Sequence, residues 1–170
     1  MNKQYDVAAL GELLIDFTEN GTSGQGNPVY EANPGGAPCN VLSMLNKLGH
    51  HTAFLGKVRD DIIADAKIFH FGTLSLTDEP VRSATRHAIK VAKENSAILS
   101  FDPNIREPLW KDMEEAREQM AYGLSVCDIL KISDNEIQWF SGKEDYTEGI
   151  HMQQHPLSQQ EKGHCVSCRR

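Results

Sequence analysis

Short apolar runs alternate with helical periodicity along most of this chain, and that alternation leaves few folds open to it. Val7 to Phe17 reads Val-Ala-Ala-Leu-Gly-Glu-Leu-Leu-Ile-Asp-Phe, a nearly continuous apolar run of the kind that suits a strand covered on both faces. Later runs, Thr52 to Val58, Ile68 to Phe71, Ala97 to Phe101 and Asp128 to Ile132, read as further strands. Between them lie helical patterns. Val41, Met44, Leu45 and Leu48 recur at i, i+3, i+4, i+7, and Gly49 stops that helix. Val81, Ala84, Ala88, Val91 and Ala92 form a second stripe, opened by Thr77-Asp78-Glu79-Pro80. Residues 112–124 are helical by composition, and Ser133-Asp134-Asn135-Glu136 starts a short helix that Gly142 ends. Strand and helix in alternation indicate an α/β doubly wound sheet.

One connection departs from that rhythm. Only a few residues separate the strand ending near Val58 from the strand Ile68 to Phe71. A parallel crossover needs about a dozen or more, usually with a helix. The two strands are therefore expected to be antiparallel, or a piece of the usual crossover is missing. From about His151 to Arg170 no apolar period is sustained, and this tail reads as disordered.

The segment Asn33-Pro-Gly-Gly-Ala-Pro-Cys-Asn40 concentrates the chemistry. Its glycine pair permits close backbone approach, Pro38 suits an early helical position, and Asn40 falls near the free N–H groups of a helix start, a setting suited to oxygen-rich ligands. A turn followed by a cap explains the same residues without a ligand. Asp16, in the apolar first run, needs partners or a ligand; its alternative is a strand-end cap. Asn104 and Arg106 follow a strand's carboxyl end, where doubly wound folds bind ligands, although Arg106 equally suits a structural ion pair. Glu136 in a first helical turn complements the helix dipole whatever else it does. Lys57 at a strand end is ordinarily solvated.

Composition removes several classes. The chain carries 17 Lys and Arg against 24 Asp and Glu, a net charge of −7, with no basic run beyond Arg169-Arg170, so nucleic-acid binding is disfavoured. No apolar segment is long enough for a bilayer, the polar start is unlike a signal peptide, and Cys39, Cys127, Cys165 and Cys168 do not make a disulfide framework; a cytoplasmic protein is expected. Gly21-Thr-Ser-Gly-Gln-Gly26 is not a dinucleotide fingerprint, Gly56-Lys57 and Gly142-Lys143 lack the rest of a P-loop, and His164-Cys-Val-Ser-Cys168 does not complete a four-ligand zinc site.

Four ordered segments carry a family likeness: Gly11-Glu-Leu-Leu-Ile-Asp-Phe17; Gly35-Gly-Ala-Pro-Cys-Asn-Val41 followed by Gly49 and Phe54-Leu-Gly-Lys-Val58; Phe101-Asp-Pro-Asn-Ile-Arg106 with Leu109-Trp110; and Lys131-Ile-Ser-Asp-Asn-Glu136. Over residues 5–150 the chain resembles the ribokinase-like (PfkB-type) carbohydrate kinases, and among them the fructokinases. The resemblance implies an incomplete, mostly parallel doubly wound sheet with the remnant of a β lid, in a partial kinase domain over residues 1–150 followed by an unrelated tail over 151–170. It implies ATP and Mg²⁺ as cofactors and a small sugar as substrate, most simply fructose converted to fructose 6-phosphate, with 2-keto-3-deoxygluconate as the alternative. Asp16, Gly35, Gly36 and Asn40 would hold the sugar, with Lys57, Asn104 and Arg106 near it; Lys131 would lie by the nucleotide, and Glu136 would assist the hydrated Mg²⁺. Related kinases often dimerise through lid strands, so a homodimer is possible.

The pattern breaks twice. After Val58 the chain jumps to a later strand, and the Gly-Ala-Gly-Asp segment that supplies the family's anion hole and catalytic base does not occur. No catalytic base is identified here. General-base and anion-hole contributions are each worth orders of magnitude, so the expectation is a kinase without useful turnover. A non-catalytic sugar-binding or dimerising remnant is one alternative; a different small α/β enzyme, with a base not yet recognised, is another.

Overall fold

The computed structural model describes residues 3–143 and the strand at 164–167. Six strands form one sheet in the order β4-β1-β5-β6-β7-β8: β1 (Tyr5–Leu10), β4 (Thr52–Leu55), β5 (Ala66–Gly72), β6 (Ile98–Asp102), β7 (Ile129–Ile132) and β8 (His164–Ser167). Every pairing in it is parallel. The helices are α1 (Ala37–Lys47), α2 (Asp60–Ala64), α3 (Val81–Glu94), α4 (Met113–Val126) and α5 (Asp134–Ser141). A separate antiparallel ribbon joins β2 (Leu14–Thr22) to β3 (Pro28–Gly35). The expected doubly wound sheet with a lid remnant is therefore present.

The core lies where the central strands meet α3 and α4. Phe69, Phe71, Leu99 and Phe101 have no exposed surface, and the Phe71 and Phe101 rings stack with centroids 4.9 Å apart. Helix α4 comes down on Phe101 at Gly123, where an added Cβ would lie 2.3 Å from the ring's Cζ. A glycine inside a helix costs about 1 kcal/mol against alanine, so its presence here reflects the room the ring needs. Asp112 caps α4 by accepting from the Glu115 N–H at 2.7 Å, and Ser133 with Glu136 closes a capping box on α5.

Several expectations are corrected. The run Val7 to Phe17 is two strands, not one: β1 is buried at Val7 to Leu10, the chain turns at residues 11–13, and β2 is exposed along its whole length. Apolar character there belongs to a lid ribbon. The stripe assigned to α1 is only half used, since Pro38 and Leu42 are its buried residues while Met44 and Leu48 are 57% and 68% exposed. In α3 the buried set is Thr85, Ala88, Ile89, Val91 and Ala92, with Val81 exposed. The strands β4 and β5 are parallel, which removes the antiparallel alternative and leaves the shortened crossover. They flank β1, and the five-residue helix α2 carries the chain across it. Residues 164–167, assigned to a disordered tail, pair with β7 from Ile129↔His164 to Ile132↔Ser167. The expected boundary at residue 150 lies outside the described residues.

Gly123→Val should destabilise the fold by about 1–3 kcal/mol through overpacking against Phe101, measured by urea denaturation. A neutral or stabilising result would mean that the Phe101 ring has room to move.

Candidate active site

The carboxyl ends of parallel strands leave backbone groups and loops at one edge of the sheet, the usual place for ligands in open α/β folds. Here β1, β5 and β6 end around a small cleft open to solvent, lined by Glu12, His70, Thr73, Ser75, Asp102 and Asn104 and by the start of α1 at Ala37 and Pro38.

Two glycines bring the lid, the sheet and α1 together beside it. Gly36, at φ 104°, has a backbone that L side chains rarely adopt, and a Cβ there would lie 2.4 Å from the Glu12 carbonyl oxygen. At Gly35 a Cβ would meet the Asp16 carboxylate at 2.1 Å. Asp16 sits opposite Asn33 in the lid ladder, and its side chain takes no hydrogen bond from the described residues. It is exposed, not the buried strand carboxylate that the sequence suggested. The start of α1 has no side-chain cap. Asn40 closes its first turn, N–H to the Gly36 carbonyl at 3.0 Å, and its side chain is exposed.

Asn104 reaches the cleft from the loop after β6 with φ 44°, a left-handed conformation that asparagine tolerates better than most residues. Arg106 is exposed and donates to the Ile105 carbonyl at 3.2 Å; among the described residues no carboxylate pairs with it, so the ion-pair alternative does not hold there. Lys57 is exposed and is not among the cleft's lining residues. Lys131 pairs with buried Asp102, Nζ to Oδ2 at 2.5 Å.

Glu136 has a structural task. Its Oε1 accepts from the Ile105 N–H at 2.9 Å, and its Oε2 from the Ser133 N–H and hydroxyl at 2.9 and 2.6 Å, so it ties α5 to the loop carrying Asn104. Three of roughly four lone-pair positions are taken, which leaves one for a water or an ion. Among the described residues no group of three or more His, Cys, Asp or Glu could hold an ion.

Sequence reasoning missed Glu12, His70 and Asp102 as site residues, although each stands in a quoted or apolar segment at a strand's carboxyl end. His70 in Ile68-Phe-His-Phe71 was the available signal, as a lone polar side chain in an apolar strand. It is buried, with Nδ1 3.0 Å from the Ser100 hydroxyl. Burial pushes its pKa below the usual 6.5; Asp102 opposes that shift and Lys131 adds to it. Burial likewise raises the Cys39 thiol, with Glu12 adding to the effect, and Cys39 Sγ donates to the Glu12 carbonyl at 3.6 Å.

The topology defines a ribokinase-like α/β protein with a cleft at the carboxyl edge of the sheet. Residues 59–167 match the pfkB family carbohydrate kinases, and the chain belongs to that family. Probable fructokinase-2 of Arabidopsis thaliana is 33% identical over 201 residues, covering 80% of this chain and 61% of that protein. Fructokinase-2 of Solanum lycopersicum is 31% identical over 201 residues, with the same coverage. The chain thus spans about three fifths of these relatives' length. An aligned stretch of 201 positions exceeds this chain's 170 residues, so some positions of the relatives have no counterpart here. Fructokinase from Vibrio cholerae O395, in a double-mutant form with fructose, ADP and potassium ion bound, superposes with a TM-score of 0.80 at 20% identity, covering 98% of this chain and 71% of that one. Fructokinase from Xylella fastidiosa with bound ATP gives 0.76 at 21%, covering 89% and 66%. At these identities the structures speak to fold alone. No helix among the described residues is long and apolar enough to cross a membrane.

His70 should make stability fall on the acid side. Its folded pKa lies below the unfolded value of 6.5, so the unfolded chain binds more protons as the pH drops beneath 6.5 and stability is lost there. The melting temperature of His70→Gln should decline less between pH 7.5 and 5.5 than that of the parent chain. Parallel declines would show that the ring titrates normally.

Proposed function

We propose that this chain binds a small sugar, fructose in the first instance, at the junction of Asp16, Gly35, Gly36 and Asn40, with Asn104 completing the site from β6. The observation that carries this reading is the Asp16 carboxylate, held against Gly35 where no side chain fits and given no donor by the described residues. A carboxylate in that state can accept from two hydroxyls at once. The fructokinase relatives and the structure of one solved with fructose and ADP support the choice of sugar. Arg106, free of any described carboxylate, suits an anionic group, either a nucleotide phosphate or the carboxylate of 2-keto-3-deoxygluconate.

ATP is the phosphoryl donor in this reading, and Mg²⁺ would arrive with its phosphates, since the ion keeps several waters and takes few protein carboxylates. Glu136 would then touch the hydrated ion through a water at its remaining lone-pair position. Phosphoryl transfer needs positioning together with stabilisation of the charge on the moving phosphoryl group. This chain supplies the sugar-positioning part and carries no Gly-Ala-Gly-Asp segment. Loss of a general base removes about 10²–10⁴ in rate, and loss of one anion-hole donor about 10²–10³. Binding without useful turnover is the outcome we infer for the chain as it stands, and cytoplasm is the compartment that its composition suits.

A coupled ADP-release assay with ATP, Mg²⁺ and fructose, run beside fructose-dependent thermal shift, tests this. Stabilisation by fructose, abolished in Asp16→Ala, with no fructose-dependent ADP release, is the expected result. Turnover lost in Asp16→Ala would mean that another group acts as base. A shift with 2-keto-3-deoxygluconate and none with fructose would reassign the sugar.

A further inference from the structure

The loop that leaves β6 is held immediately before and immediately after Asn104. Before it, the Pro103 carbonyl accepts from the Thr73 N–H at 3.2 Å and also from the Thr73 hydroxyl. After it, the Ile105 N–H donates to Glu136 Oε1 at 2.9 Å. Between these ties Asn104 has φ 44°, and no described residue engages its side-chain amide. Both ties reach far along the chain, across 30 and 31 residues. Each is itself fixed. Thr73 has no exposed surface, and Gly72 before it lets the end of β5 come so close that a Cβ there would lie 2.9 Å from the Asp102 carbonyl oxygen. Glu136 is anchored at its other oxygen by the Ser133 N–H and hydroxyl, so the first turn of α5 sets where Oε1 lies.

A left-handed backbone is costly for a residue that carries a side chain, and such residues persist where their surroundings over-determine them. In ordinary turns asparagine settles there by bonding its side chain to nearby backbone. That explanation does not cover Asn104, whose amide takes no bond from the described residues. Satisfying the buried Pro103 carbonyl does not cover the arrangement either. The Thr73 N–H already gives that oxygen a donor, and the Thr73 hydroxyl is committed to it as well. The ties fix the backbone on both sides and leave the side chain unbonded where Asn104 lines the cleft. Holding a loop in its binding conformation beforehand raises affinity, because ordering it is no longer part of the binding step.

We propose that Thr73 and Glu136 are positioning residues that clamp the backbone on either side of Asn104, lock it in its left-handed conformation and so set how well its amide meets a ligand. The assignment rests on the reading of Asn104 as a sugar contact. It adds no contact of its own, and it gives Glu136 a task in binding that does not involve Mg²⁺.

The test is calorimetric titration of the full chain with fructose, without nucleotide or Mg²⁺, for Thr73→Val, Thr73→Ser, Glu136→Ala, Ser133→Ala and Asn104→Gly. Thr73→Val and Glu136→Ala are also combined with Asn104→Gly, which removes the amide yet takes φ 44° without strain. Thr73→Val and Glu136→Ala should each weaken fructose binding by about three- to tenfold, the scale of one hydrogen bond, and neither by more than Asn104→Gly does. Thr73→Ser keeps the hydroxyl and should bind as the parent does. Ser133→Ala removes the α5 cap, so it should melt earlier with its affinity unchanged. In the Asn104→Gly background neither Thr73→Val nor Glu136→Ala should weaken binding further, because the group they position has gone. The same loss with and without the Asn104 side chain would overturn this assignment alone and make both residues merely structural. Parent-like affinity in both Thr73→Val and Glu136→Ala, with binding weakened in Asn104→Gly, would do the same. A folded parent chain that binds neither fructose nor 2-keto-3-deoxygluconate would overturn the sugar-binding reading and this inference together.

Discussion

At the end of β1 the chain passes so close to the start of α1 that the Glu12 carbonyl oxygen occupies the space where residue 36 would carry a side chain. Gly36, with φ 104°, permits that approach, and much of the site follows from it. The approach anchors the lid ribbon where β3 runs into α1. It places Gly35 against Asp16 and turns Ala37 and Pro38 toward the cleft shared with β5 and β6. A side chain at residue 36 would strain the backbone and collide with the Glu12 carbonyl, pushing the lid's base away from the end of β1.

The second constraint is length. A doubly wound sheet is built from crossovers, and this chain makes one of them with α2, five residues long. β4 and β5 lie on either side of β1, so α2 and its flanking residues span one intervening strand. The lid has no comparable support. A two-stranded ribbon is marginally stable on its own, and β2 presents Leu14, Ile15 and Phe17 to solvent. Gly35 and Gly36 are buried at the ribbon's base, so packing there, more than the ribbon's own pairing, holds the Asp16 end in place. The far end at the Gly21–Gly26 turn has little to hold it.

The sequence announced the alternation of elements and the helix behind the glycine pair, because each rests on local rules: apolar period, turn chemistry and capping. Glu136 was legible as a first-turn acid, and the structure makes it that and also the tie to Ile105. Illegible features depended on which layer covers which. Leu14, Ile15 and Phe17 read as a buried strand because a lid ribbon and a central strand share the same apolar composition, and only tertiary placement separates them. Met44 and Leu48 carry the period of a covered helix on a face that the described residues leave open. Glu12 and His70 escaped notice for the opposite reason. A single polar residue in an apolar run has an ordinary explanation until the chain folds and brings two of them to one cleft.

Hydrogen exchange of the full chain with and without fructose tests the central claim most directly, because it reports on the lid and the sheet edge residue by residue and needs no turnover. If the sugar bridges the lid and the cleft, amides in β2, β3 and the loop at 103–106 exchange more slowly with fructose present, while those of α4 and β7 are unchanged. Equal exchange in those segments with and without the sugar, in a chain whose central strands are protected, would contradict a sugar site at the junction of lid and sheet.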